Sequence, residues 1–87
     1  MRRRSRKSTT AGASAVYVLE AGALTFSLPA TWASNGGAVT VADNSGAGGT
    51  VAGNVLNWPN GATTMALLPY GSMTFVWSAT LNGWLSV

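Results

Sequence analysis

Few side chains in this sequence can move a proton or hold a metal. Glu20 and Asp43 are the only carboxylates, Arg2, Arg3, Arg4, Arg6 and Lys7 the only cations, and His and Cys are absent. Two carboxylates can serve as a general acid and base, but these stand 23 positions apart with no titratable company except Tyr. The commonest general base and metal ligand is missing. Composition therefore points away from an enzyme. Without thiols there is no disulfide and no zinc thiolate cluster, and the redox compartment cannot be read. Asp43 opens the stretch DNSG, yet one carboxylate beside Asn44 and Ser45 falls short of the roughly six to eight oxygens that calcium takes. An Asx turn closing the preceding strand is the expectation. The glycine-rich stretches GAGG and NGG lack both the Gly-Lys-Ser/Thr ending and the following helix of a phosphate loop. No cofactor or metal is expected.

Charge is distributed unevenly. Residues 1 to 7 carry +5 and residues 8 to 87 carry −2, which together give the net charge of +3. The opening MRRRSRKSTTAGAS has too little apolar area to offset its backbone entropy, so residues 1–14 read as a flexible basic arm. Such an arm is either a solvated terminus that keeps a nearly uncharged body in solution, or a tether for an acidic partner. Its target would be a protein groove or nucleic-acid phosphates. No Lys or Arg follows Lys7 to continue a phosphate track, so protein is favoured over nucleic acid.

The elements that must position these groups belong to the body, residues 15–87. Leu24, Phe26 and Leu28 alternate with Thr25 and Ser27, Val39 and Val41 flank Thr40, and Met73, Phe75 and Trp77 share one face of a run. Alternation at period two with Thr, Val and aromatic enrichment predicts strands, near 15–20, 23–28, 38–42, 50–56, 63–68, 72–79 and 84–87. Eleven Gly, six Asn and three Pro punctuate the chain too closely for a helix of useful length. Asn82-Gly83 predicts a type I′ hairpin turn, and Ala21-Gly22 a tight connection between the first two strands of the body. The expected fold class is all-β, a small antiparallel sandwich or barrel.

Aromatic residues supply the remaining candidates. Trp32, Trp58, Tyr70, Phe75, Trp77 and Trp84 are read as core or as a subunit interface, where aromatic side chains are enriched and charges depleted. Trp58 precedes Pro59 and the pair Asn60-Gly61, a loop entrance that a sugar or a partner could reach. No run approaches the roughly 20 apolar residues of a spanning helix, and the apolar run 15–19 after the basic start is short and meets Glu20, so neither a membrane span nor a cleaved leader is expected. Soluble surfaces draw about a quarter or more of their residues from charged types. A body with two such residues, and edges without charge to block pairing, is expected to finish its packing against copies of itself, most simply as a homotrimer.

The stretches AVTVADNSG and YGSMTFVWSATLNGWLSV resemble β-rich virion proteins of tailed bacteriophages. The matching positions are Val39, Thr40 and Val41 with Asp43 and Gly46, then Tyr70, Gly71, Ser72 and Thr74, and the turn at Asn82, Gly83 and Trp84. The resemblance spans residues 17–87. It implies a non-enzymatic structural role in a virus particle assembled in the host cytoplasm, usually as a homotrimer. A basic arm in place of a shaft domain favours a decoration or cement protein over a receptor-binding fibre. Arg2, Arg3, Arg4, Arg6 and Lys7 would then lie in an acidic groove of the major capsid protein while the β body caps the shell. Two alternatives stay open: a fibre tip that uses Trp58 and Tyr70 as a receptor or glycan platform, and a nucleic-acid-associated virion protein.

Overall fold

The computed structural model describes residues 2–32 and 37–87. Among the described residues nine strands form two mixed sheets, and the all-β class holds. The chain first alternates between the sheets. β1 (Arg2–Ser5), β3 (Val16–Leu19) and β5 (Ala38–Asp43) lie side by side in one sheet, and β2 (Thr9–Thr10), β4 (Leu24–Ser27) and β6 (Gly49–Ala52) in the other. Every pairing within these two sets is parallel. The result is three stacked coils in the manner of a β-solenoid. β7 (Thr64–Leu67) then adds antiparallel to β6, β8 (Ser72–Ser78) to β5, and β9 (Gly83–Ser86) to β8.

Seven of the expected strands occur at their expected places, but the wholly antiparallel arrangement is corrected to a mixed one. Short connections ordinarily imply hairpins, because neighbouring parallel strands need a crossover of a dozen or more residues. Here a strand of the opposite sheet lies within each crossover, so short arcs suffice. The segment read as a flexible arm also differs: its residues form β1 and β2, and Ala11 is buried in the core. β1 supplies little apolar area of its own. It is held in line by pairing in register with β3, from Arg2 opposite Val16 to Ser5 opposite Leu19.

Alternation assigns the core. Tyr17, Leu19, Val39, Val41, Phe75, Trp77 and Trp84 from the larger sheet meet Phe26, Val51 and Leu67 from the smaller and Leu28 just past the end of β4, all buried. The short dimension of the molecule, 18 Å, fits two sheets about 10 Å apart with side chains outside. Burying a residue such as Leu19, Phe26 or Phe75 contributes roughly 2 kcal/mol over leaving it exposed. Trp84 packs edge-on to both Trp77 and Trp32, at 5.4 and 5.2 Å between ring centroids. Its indole N–H donates to the Pro29 carbonyl at 3.0 Å, so the polar end of the ring is paired inside the core.

The turn chemistry is also redistributed. The pair of consecutive positive φ angles falls at Asn60 and Gly61, where the Ala62 N–H donates to the Pro59 carbonyl at 3.1 Å, in the manner of a type I′ turn. Asn82 has φ 56°, but Gly83 already belongs to β9 and pairs with Ser78. Four residues, 79–82, therefore join β8 to β9. Between β3 and β4 it is Ala23 rather than Gly22 that takes the positive φ. The remaining Asn-Gly pair, at 35–36, lies outside the described residues.

Candidate functional site

The larger sheet has two edges, β1 and β9, and they are treated differently. On β9 the groups that face away from β8 belong to Trp84 and Ser86. The Trp84 N–H donates to Asn54 and its carbonyl accepts from Leu56, at 3.0 and 2.8 Å. Ser86 is paired by one side chain: its N–H donates to Asn57 Oδ1 and its carbonyl accepts from Asn57 Nδ2, both at 2.8 Å. All four outward groups are thus bonded, and that edge is closed to further strands.

Among the described residues, the β1 edge is open. The Glu20 N–H donates to the Ser5 carbonyl at 2.8 Å, which fixes Ser5, and by alternation Arg3, as the residues facing β3. The backbone N–H and C=O of Arg2 and Arg4 point the other way. The register also sorts the side chains: Arg2 and Arg4 stand with Val16 and Val18 on the outer face, and Arg3 and Ser5 with Tyr17 and Leu19 on the inner one. The Arg3 guanidinium lies 6.0 Å from the centre of the Tyr17 ring, near the limit of a cation–π contact, where it covers the end of the core.

Glu20 is the anion within this basic edge. Its Oε1 is 3.3 Å from Arg4 Nη1, and Oε2 accepts from Asn44 Nδ2 at 3.0 Å. This is the one ion pair among the described residues. Arg4, Ser5, Arg6, Lys7 and Glu20 line an open cleft of about 490 Å³. Ser5 Oγ donates to the Lys7 carbonyl and accepts from the Lys7 N–H, at 2.6 and 3.3 Å. That small turn holds Arg6 and Lys7 at the same corner of the molecule as β1. Three cations for one carboxylate make the cleft a receiver of negative charge.

Asp43 does different work. Its Oδ1 accepts from the Ser45 N–H and hydroxyl at 3.0 and 2.6 Å, and Oδ2 accepts from the N–H groups of Gly46, Gly48 and Tyr70, each at 3.0 Å. The Asx turn is there, and the same carboxylate ties residues 43–48 to the β7–β8 connection. Hydrogen bonding, led by the Ser45 hydroxyl, holds its carboxyl well below the usual carboxylate range against the opposing effect of burial. With both oxygens engaged by donors, Asp43 is a structural knot and not a cation ligand.

The aromatic candidates divide. Trp58, Phe75, Trp77 and Trp84 are buried, Trp32 is half-buried against Trp84, and Tyr70 is 73% exposed. Trp58 packs edge-on to Phe75 at 6.0 Å, so the joint Trp58 and Tyr70 platform for a sugar is corrected: one ring is inside and the other outside. Tyr70, read as core or interface, lies outside the core at φ 57° and against Gly46. Sequence reasoning missed Asn57, whose function depends on a neighbour 29 positions away, and it missed the pairing of Arg4 with Glu20.

No family model matches this sequence, and no curated protein matches it. Among solved structures, the fold is similar to part of a chain in one described as "Structure of a chaperone-substrate complex", with a TM-score of 0.72 at 17% identity. The similarity covers 95% of this chain and 14% of that one. At this identity the likeness concerns the fold, and the chain spans about one seventh of the length of the protein it matches.

Proposed function

We propose that this chain is a non-enzymatic structural module that attaches through its basic edge to an acidic protein surface within a larger assembly. The observation that carries the proposal is the concentration of Arg2, Arg3, Arg4, Arg6 and Lys7 along one open strand edge and its adjoining cleft, on a body otherwise bearing only Glu20 and Asp43. The resemblance of two stretches of the body to tailed-phage virion proteins supports reading the assembly as a virus particle and the role as that of a decoration or cement protein. Its acidic partner is then the major capsid protein. Binding the assembled shell and not its free subunits stabilises the shell by mass action.

Self-association belongs to the same proposal. The outer face of the larger sheet presents Val16, Val18, Ala38, Ala42, Val76 and Leu85 with the neutral Thr40, Thr74 and Ser72 between them, and of its strand residues only Arg2 and Arg4, at the β1 edge, are charged. Packing such faces in a homotrimer would bring three basic edges together, and linked attachment raises avidity without a new kind of contact. Replacing Arg2, Arg6 and Lys7 together by Gln removes charge while leaving β1 in place. The triple variant is expected to keep its circular dichroism and oligomeric state and to lose several-fold in occupancy on shells that lack the protein. Undiminished occupancy at physiological salt contradicts the role of the basic edge.

A further inference from the structure

The contrast between the two edges of the larger sheet carries a more specific reading. One edge is sealed at every outward backbone group, by residues 54 and 56 and by the Asn57 side chain. The other offers two N–H and two C=O groups, those of Arg2 and Arg4, in the geometry of an incomplete ladder. We propose that β1 is a strand-addition site for an extended acidic segment of a partner protein. The segment pairs its backbone with Arg2 and Arg4, and its alternate carboxylates meet those two guanidinium groups and the cleft beside Arg6 and Lys7. This deepens the reading of the basic edge as an acidic-partner site, and it rests on it.

Three features select this occupant. A second copy is disfavoured, because pairing RRRS with RRRS in either direction sets Arg against Arg across the ladder. The charges that attract an acidic segment thus also reject the commonest wrong partner of an open edge. Nucleic acid meets only half of the edge: phosphates accept hydrogen bonds and do not donate them, so the outward carbonyls would stay unpaired. An extended peptide supplies donor and acceptor at each step and repeats its side-chain face every second residue, as Arg2 and Arg4 do. The one acid already at the edge, Glu20 with Arg4 at 3.3 Å, shows a carboxylate in contact with this row.

The test uses the intact protein and a capped heptapeptide of alternating Glu and Thr, with binding followed by calorimetry. Two further peptides carry N-methyl groups on the Glu amides alone or on the Thr amides alone. Charge is then constant while one side of the strand at a time loses its donors. Strand addition predicts that one methylated set binds about tenfold or more weakly and that the other is tolerated. Equal affinity for all three peptides overturns strand addition and leaves a purely ionic docking edge. No binding by any of them at low salt overturns the acidic-partner reading as well. A thymidine heptanucleotide that binds as tightly as the unmodified peptide overturns the proposal in favour of a phosphate ligand.

Discussion

At the scale of single residues, the two carboxylates have separate tasks. Asp43 accepts five hydrogen bonds and joins two loops, so replacing it with Asn puts an NH₂ donor among N–H donors. The D43N variant is expected to melt roughly 10 °C lower than the parent at neutral pH. The sign of the pH dependence follows from the lowered folded value. The stabilisation is complete above the unfolded carboxylate value of about 4 and drains away as pH falls below it. Melting the parent and D43N between pH 7 and pH 2 should show a steep acid loss in the first and a shallower one in the second; parallel curves contradict the assignment. Gly48 tests the same knot from another side. Its φ is +75° and an added Cβ would stand 2.5 Å from the Leu67 carbonyl oxygen, so G48A is expected to destabilise the fold, read as a lowered urea midpoint. Glu20 contrasts with both: its Arg4 partner is largely exposed, and R4A should cost less than about 1 kcal/mol of stability.

At the scale of elements, Asn57 closes the β9 edge. N57A removes both partners of the Ser86 backbone, and its amide is expected to exchange several-fold faster by hydrogen–deuterium exchange while core amides such as that of Phe26 hold; an unchanged Ser86 rate contradicts the sealing role. The legibility of the sequence follows the range of the forces involved. Strands from Val16 onward could be read because each carries its own alternation, as in Leu24, Phe26 and Leu28, which local pattern preserves. β1 could not, since Arg2 to Arg4 have no apolar partner face and become a strand only through pairing with residues 14 positions later. Parallel stacking was hidden for a related reason. The registered spacings differ, 14 from Arg2 to Val16 and 24 from Val16 to Thr40, so no fixed repeat marks the coils. The basic cluster was plain in the sequence; its attachment to an open edge was not.

At the scale of the whole molecule, charge and backbone valence are concentrated at one side. The cations occupy the first strand and its cleft, and the far edge of the same sheet is bonded shut. A tethered arm and a fixed edge make different demands on a partner: the arm adapts to any acidic groove, whereas the edge admits a segment of defined direction and side-chain alternation. The sequence favours the first and the fold supports the second. Amide exchange along residues 2–7 of the free protein separates them most directly. Slowed exchange is expected at Arg3 and Ser5, whose N–H groups face β3, beside rapid exchange at Arg2 and Arg4, whose N–H groups face outward. Uniform exchange at unstructured-chain rates across all six positions would contradict the fixed edge.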